Sequence, residues 1–320
     1  MAKPVLVTTR RLPPAIEARA SRDYDARLRA EDTALDAAGL LRLAEGAAAI
    51  ICCVADPMNA AIIQALPASI RAIGTFSVGY DHIDLAAAAA RSIPVCNTPD
   101  VLSVCTAECA LALILAAGRQ VGAGERMVRS GQWAGWAPTQ LLGSLISGRR
   151  LGIFGMGRIG RELARMAAGL NMRVHYHDIA RLPPELEMGA IFHADEASFL
   201  AASDVLSLHA PGGPGTHRWL NQVRLAQLPH GAIVVNAARG SLVDDAALIA
   251  ALRSGQVAFA GLDVYDGEPK VNPGYLTLEN VVLLPHLGSN AAETRDAMGN
   301  LVLDGIDAIL AGRTPANLVR

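Results

Sequence analysis

Three side chains in the later part of this chain suit one reaction. Arg239 stands in the turn after the apolar run AIVVN (232–236), Glu268 follows the run Ala258–Leu262 and Asp263, and His286 comes just after Val281–Leu284 and Pro285. A guanidinium grips a carboxylate in a two-pronged fork and polarises an adjacent carbonyl. An imidazolium protonates that carbonyl as hydride arrives, and a carboxylate behind the ring holds it and favours its charged form. Each residue has an ordinary alternative: a surface ion pair for Arg239, a turn residue before Pro269 for Glu268, a loop residue after a proline for His286. Their succession at the ends of β-rich runs, where open α/β sheets bind ligands, favours the catalytic reading.

A hydride donor needs a cradle, and LGIFGMGRIG (151–160) has the composition of one. Gly155 permits a tight turn, Gly157 lets the backbone approach a pyrophosphate, and Gly160 lets helix and strand pack closely. The helix that follows offers free N–H groups to phosphates. Three glycines alone are a weak signal. Here a strand precedes them, a helix follows, and the next strand, Arg173–His177, ends at Asp178, where an acid meets ribose hydroxyls. The ordinary alternative for Asp178 is a helix cap or turn residue. An acid there repels a 2′-phosphate, which favours NAD(H) over NADP(H); Arg181, three residues on, softens that preference. His209 ends a further strand, LSLHAP, and is expected to line the cofactor cleft. The other histidines (His82, His175, His177, His193, His217, His230) read as structural or solvated, and no spacing suggests a metal site.

These residues have to be positioned by something, and the pattern supplies it. Short β-rich runs alternate with helical segments throughout, the signature of parallel α/β architecture. Pro4–Val7, Ala49–Val54, Ala72–Phe76 and Ile93–Cys96 read as strands, with helices at Asn59–Ala65 and Leu85–Arg91. The apolar run from Thr106 to Ala117 reads as a buried helix able to bridge two domains, and Ser130–Arg150 as an extended loop. A second series follows: strands at Leu151–Phe154, Arg173–His177, Val205–Leu208, Ala232–Asn236, Ala258–Leu262 and Val281–Leu284, and a helix at Ile159–Ala168. Ala291–Leu310 is amphipathic, with Gly312 and Pro315 beyond it.

Composition bounds the rest. A chain of 320 residues points to about two domains, and 52% hydrophobic with 18% charged residues excludes disorder. Thirty acids against 28 bases, with no dense basic run, exclude nucleic acid as an expected partner. The longest apolar stretches, nine residues each, are far short of the roughly 20 that span a bilayer. MAKPVLVTTRR is no signal peptide. Cys52, Cys53, Cys96, Cys105 and Cys109 match neither a zinc nor a disulfide framework and read as buried, reduced thiols. A cytoplasmic protein without membrane contact is expected.

The ordered motifs SVGYDHIDL (77–85), NTPDVLS (97–103), TAECALALIL (106–115), GQWAGWAPT (131–139), GMGRIG (155–160), NAARGSLVDDAALIAAL (236–252), AGLDVYDGEP (260–269) and LPHLGS (284–289) span nearly the whole chain. In them the chain resembles the D-isomer-specific 2-hydroxyacid dehydrogenases, particularly the glyoxylate/hydroxypyruvate reductase branch. The resemblance implies two doubly wound parallel-sheet domains. Residues 98–285 would form a Rossmann NAD-binding domain with a dimerisation arm around 120–150. Residues 1–97 with 286–320 would form a flavodoxin-like substrate domain. It also implies a homodimer and a small 2-keto or 2-hydroxy acid as substrate.

Residue by residue, the resemblance makes Arg239 the ligand of substrate carboxylate and carbonyl. His286 becomes the general acid in reduction and base in oxidation, with Glu268 as its partner. Asp263 and the backbone at Ala237 would hold the nicotinamide carboxamide. Thr106, Arg158, Ile159, His209, Pro211, Thr216 and Gly288 match positions lining the cofactor, joining Gly155, Gly157, Gly160 and Asp178. Val78 and Gly79 match a substrate-carboxylate loop, and Trp136 an aromatic that reaches the neighbouring subunit's pocket; Val54, Val78 and Trp136 would shape substrate choice. Glutamate at 268, where formate dehydrogenases carry glutamine, counts against formate, and the end at Arg320 lowers the reading as a long phosphoglycerate dehydrogenase. HDIAR (177–181) departs from the NADP-preferring pattern at Asp178. The alternatives are a dehydrogenase of a bulkier D-2-hydroxy acid, or a nucleotide-sensing scaffold like the corepressors of the same superfamily, which need little turnover.

Overall fold

The structure, a computed structural model, describes residues 2–319. It divides into two compact units, Met1–Leu102 with Ser289–Arg320, and Ser103–Gly288. The sequence reading put the joins at 97/98 and 285/286, and hydrogen bonds account for the difference. The Thr98 amide donates to Ser77 O, and the amides of His286, Leu287 and Gly288 all donate to Asp263. Residues 286–288 therefore belong with the second unit.

The first unit is built on a parallel sheet of five strands: β1 (Val5–Thr8), β2 (Asp25–Arg27), β3 (Ala49–Cys52), β4 (Ala72–Thr75) and β5 (Val95–Cys96). Their order, β2-β1-β3-β4-β5, is the flavodoxin-like order expected. Buried on both faces, β3 and β4 read as continuous apolar runs. Helices α1 (Pro14–Asp23), α2 (Ala37–Ala44), α3 (Ala60–Ala65) and α4 (Leu85–Ala90) connect them. Asp36, Asn59 and Asp84 each accept an amide from the first turn of the last three. The last helix of the chain, Ala292–Leu310, lies on β4. It comes so close that a Cβ on Gly74 would fall 2.5 Å from Val302 Cγ2.

The second unit opens with the apolar helix α5 (Ser103–Gly118), longer at both ends than expected, and then α6 (Val121–Arg129), which the sequence did not reveal. Residues 130–149 form no helix or strand. A seven-stranded parallel sheet follows: β6 (Arg150–Phe154), β7 (Arg173–His177), β8 (Ile191–Phe192), β9 (Val205–Leu208), β10 (Ala232–Asn236), β11 (Val257–Leu262) and β12 (Val281–Leu283). Between the strands run α7 (Arg158–Ala167), α8 (Pro184–Glu187), α9 (Glu196–Ala201), α10 (Gln222–Gln227), α11 (Asp245–Ser254) and α12 (Pro273–Leu276). The order β12-β11-β10-β9-β6-β7-β8 reverses direction at β6. The C-terminal end of β6 is thus a topological switch point, where such sheets bind ligands. Packed cores lie on both faces, and α5 sits so tightly on β11 that a Cβ on Gly261 would reach Leu113 Cβ at 2.9 Å. Among the described residues no single helix is long and apolar enough to cross a membrane.

Candidate active site

The glycine turn leaves β6 at the switch point, and each glycine meets a different demand. Gly155 adopts φ +93°, and a Cβ there would lie 2.6 Å from the Ala210 amide nitrogen. A Cβ on Gly160 would strike Gly155 O at 2.5 Å, so α7 can approach β6 only without one. A Cβ on Gly157 would meet nothing within 4 Å, and no side chain caps α7. The first amides of α7 therefore face open space bordered by glycine, which fits the approach of a pyrophosphate. Asp178, at the end of β7, sits beside this turn: its Oδ2 accepts the Met156 amide at 2.7 Å and its Oδ1 the Ile179 amide at 2.7 Å. Arg158 and Ile159 start α7 next to it.

His209 follows β9 on the neighbouring side. Its Nε2 shares a 2.8 Å hydrogen bond with Ser207 Oγ, while Nδ1 is closed off from water and has no partner. Burial pushes its pKa down to about 4, so the ring is neutral at physiological pH. The following loop is closed by Thr216 Oγ1, which donates to Pro211 O at 2.7 Å. An orphaned buried nitrogen, a turn that only glycine can form and an uncapped helix start suit a dinucleotide.

The turns after β10, β11 and β12 meet at one place. Asn236, wholly buried at the end of β10, donates through Nδ2 to Arg239 O at 2.9 Å and accepts the Ala238 amide at 3.0 Å. Its own carbonyl accepts the Asp263 amide at 2.9 Å. Asp263 O then accepts the His286 amide at 2.9 Å, and its carboxylate takes the Leu287 and Gly288 amides at 2.6 and 2.8 Å. Burial raises the Asp263 pKa, outweighing those amides and the nearby His286 charge. Gly288 packs on Thr106 and Asp263: a Cβ there would come within 3.3 and 3.4 Å of them. Ala237 is buried beside this knot.

Glu268 and His286 complete it. Glu268 Oε1 accepts the Tyr265 amide at 2.8 Å, and Oε2 shares a 2.7 Å hydrogen bond with His286 Nδ1. Burial pushes the Glu268 pKa up, but the His286 hydrogen bond and charge, the Tyr265 amide and the Arg239 charge together hold it below the usual carboxylate range. Glu268 is thus an ionised acceptor, Nδ1 carries the proton, and Nε2 is the ring's remaining nitrogen. His286 itself has φ +57°, a left-handed conformation costly for a residue with a Cβ. Arg239, Glu268 and His286 are therefore brought together, with Thr106, Asp263 and Gly288 beside them.

The other expected residues stand on other segments of the chain. Trp136 stands on the 130–149 segment, 83% exposed, near the exposed Trp133, Leu142 and Leu145. Val54, in the turn after β3, and Val78 and Gly79, after β4, belong to the first unit. That second loop is braced by Asn97 Nδ2 donating to Val78 O at 2.7 Å and Ser77 Oγ donating to Gly79 O at 2.6 Å. His82 reaches Thr75 Oγ1 at 3.2 Å. Ser77, Asn97, Asn236 and Gly240 were missed in the sequence. The signal available for Asn236 was a side-chain amide closing an otherwise apolar strand.

Comparison with known proteins gives a consistent result. Residues 111–288 match the family described as D-isomer specific 2-hydroxyacid dehydrogenase, NAD binding domain. A glycerate dehydrogenase of Hyphomicrobium methylovorum is 40% identical over 98% of each chain. A solved structure from Polaromonas sp. JS6 66, described as an NAD-binding D-isomer specific 2-hydroxyacid dehydrogenase, is 46% identical over 100% of both chains, with a TM-score of 0.95. An NADPH-dependent glyoxylate/hydroxypyruvate reductase of Sinorhizobium meliloti, solved with NADP and malonate, is 31% identical over 99% of this chain and 97% of that one, with a TM-score of 0.88.

Proposed function

The chain belongs to the D-isomer specific 2-hydroxyacid dehydrogenase family, and we propose that it reduces a small 2-keto acid, glyoxylate or hydroxypyruvate, with NADH. The observation that carries this reading is the 2.7 Å Glu268–His286 hydrogen bond set beside Arg239 at the ends of three adjacent strands. Oxidation of glycerate at C2 gives hydroxypyruvate, so the names of the Hyphomicrobium and Sinorhizobium relatives describe one redox pair from its two sides. That convergence supports a small substrate.

A bound dihydronicotinamide supplies the hydride. Arg239 holds the substrate carboxylate in its fork and polarises the carbonyl. His286 delivers the proton from Nε2 to the carbonyl oxygen, while Glu268, kept ionised, fixes the ring through Nδ1 and stabilises its charge. In oxidation the same nitrogen takes the proton back. Asp263 and the backbone at Ala237 hold the carboxamide. Thr106, Arg158, Ile159, His209, Pro211, Thr216 and Gly288 line the cofactor with the glycine turn, and Asp178 takes the ribose hydroxyls. We assign Val54, Val78 and Gly79 to substrate recognition, and Trp136 to the pocket of a neighbouring subunit. A homodimer is part of the proposal: exposed Val121, Val128, Trp133, Trp136, Leu142 and Leu145 along 121–145 form an apolar stretch that a second copy would cover.

The test is nicotinamide absorbance loss with glyoxylate, hydroxypyruvate, pyruvate and phenylpyruvate, each with NADH and NADPH. Rapid turnover of the two smallest acids with NADH is expected. Turnover confined to phenylpyruvate refutes the substrate while keeping the chemistry, and binding without turnover refutes the enzyme.

A further inference from the structure

We propose that Glu187 and Tyr176 enforce selection of the unphosphorylated dinucleotide by holding Arg181 away from a 2′-phosphate, an inference that rests on reading Asp178 as the ribose-binding residue. In sequence the loop after β7 is ambiguous. Asp178 disfavours a 2′-phosphate, whereas Arg181, three residues on, is the kind of cation that binds one. In the structure Arg181 is paired with a carboxylate of its own loop. Arg181 Nε and Nη2 lie 2.8 and 3.0 Å from the two carboxylate oxygens of Glu187, a two-pronged fork that takes up one paired N–H edge of the guanidinium and directs it toward α8.

Glu187 is itself held. The hydroxyl of Tyr176, a wholly buried side chain of β7, donates to Glu187 Oε1 at 2.7 Å and accepts the Leu182 amide at 3.0 Å. Local sequence fixes the rest. Pro183 and Pro184 start the single turn of α8, and Met188 and Gly189, at φ +50° and +79°, end it, so Glu187 returns opposite Arg181. The hydrogen bonds from Arg181 and then Tyr176 hold the Glu187 pKa at about 2, so Glu187 remains the ionised acceptor of the fork across the physiological pH range. Two obstacles therefore act on the same phosphate: a carboxylate at 178 and a guanidinium already taken at 181. Removing one leaves the other in force.

That series arrangement predicts non-additivity, whereas a pair that merely tethers the loop predicts none. The experiment measures NADH and NADPH dissociation constants of the full-length apo protein by tryptophan fluorescence, alongside kcat/KM with glyoxylate. The variants are Asp178→Ser, Glu187→Gln, their combination, and the combination with Arg181→Ala. The Glu187→Gln change keeps an acceptor for the Tyr176 hydroxyl and preserves side-chain volume. Glu187→Gln alone is expected to leave the NADPH-to-NADH affinity ratio within about twofold, and the combination to raise it about fivefold or more beyond the product of the single effects. Arg181→Ala should return the ratio to that of Asp178→Ser. A combined effect equal to the product, or a gain that survives Arg181→Ala, overturns the inference. Should the variants carrying Glu187→Gln fold poorly, Tyr176→Phe with Asp178→Ser asks the same question, and an unchanged ratio there overturns it too. A wild-type protein that binds neither dinucleotide overturns the cofactor reading itself; one that reduces glyoxylate with NADH while the variants add without coupling overturns only the role of Glu187.

Discussion

Replacing Gly240 by alanine places a methyl group where the backbone leaves no room. Its Cβ would lie 1.8 Å from the carbonyl carbon of Tyr265 and 2.2 Å from the Asp266 nitrogen and the Tyr265 oxygen. Ordinary contact begins near 3.4 Å, so one of the two turns must retreat by about 1.6 Å. Every obstructing atom is main chain, and no rotamer change absorbs the clash. One turn carries Arg239, and the other carries Tyr265, whose amide holds Glu268. Overpacking of this kind costs about 1–3 kcal/mol, which lowers the melting temperature by roughly 2–12 °C in a unit of this size. Displacing a reacting group by about 1 Å costs on the order of 10²-fold in rate. We expect kcat/KM with glyoxylate to fall about a hundredfold while the NADH dissociation constant stays within about threefold, since the 155–160 turn is untouched. Steady-state absorbance, a fluorescence titration and a melting curve together decide it. An alanine variant with wild-type kcat/KM would refute the claim that this contact positions Arg239.

Three further outcomes are expected. His286→Ala should lower turnover by about 10²–10⁴-fold with NADH binding preserved, and retained turnover would remove His286 from its role. Arg239→Lys should chiefly raise KM for the keto acid, because a point charge replaces a planar fork; an unchanged KM counts against the carboxylate contact. His209 contributes a pH dependence whose sign is fixed by its depressed pKa. The folded state favours the neutral ring, so its contribution is complete above the unfolded value of about 6.5 and erodes as pH falls through about 4, by on the order of 3 kcal/mol. His209→Asn should flatten denaturant-measured stability across that window, and parallel curves for mutant and wild type would exclude the effect.

Some elements were legible because one local force determines them. β7, β9 and β10 have the limits read from the sequence: β9 and β10 are short, largely apolar runs followed or ended by a polar residue, as central parallel strands are, and β7 alternates Val174 and Tyr176 with polar residues before Asp178. The glycine turn was legible because three separate steric demands leave a spaced trace. β2 was not, since an edge strand of three residues, Asp-Ala-Arg, carries no apolar pattern. α6 was hidden by Gly122 and Gly124, which lower helix propensity, in a segment whose exposed valines face no core of their own unit. Arg181 looked available because its fork with Glu187 depends on the return of α8, which propensity alone does not give.

The candidate site shows where such reading stops. Arg, Glu and His can be recognised by type, but their mutual placement is set by groups that look structural in the sequence. Asn236 ties its side chain to Arg239 O and its carbonyl to the Asp263 amide, and Asp263 ties its carbonyl to the His286 amide. Three strand-end turns are thereby joined through main-chain and buried amide atoms, none of which titrates near neutrality or exchanges readily with water. The two amides on the Asp263 carboxylate close the 286–288 loop, and that closure sustains the left-handed backbone of His286 against a strain of about 1–2 kcal/mol. With the backbone fixed in this way and Nδ1 committed to Glu268, the imidazole has little freedom, and Nε2 is directed without any ligand having to order it. The imidazole proposed as proton donor is thus placed by an asparagine and an aspartate that need not touch the substrate carbonyl, and a sequence reading confined to reactive side chains could not have found how.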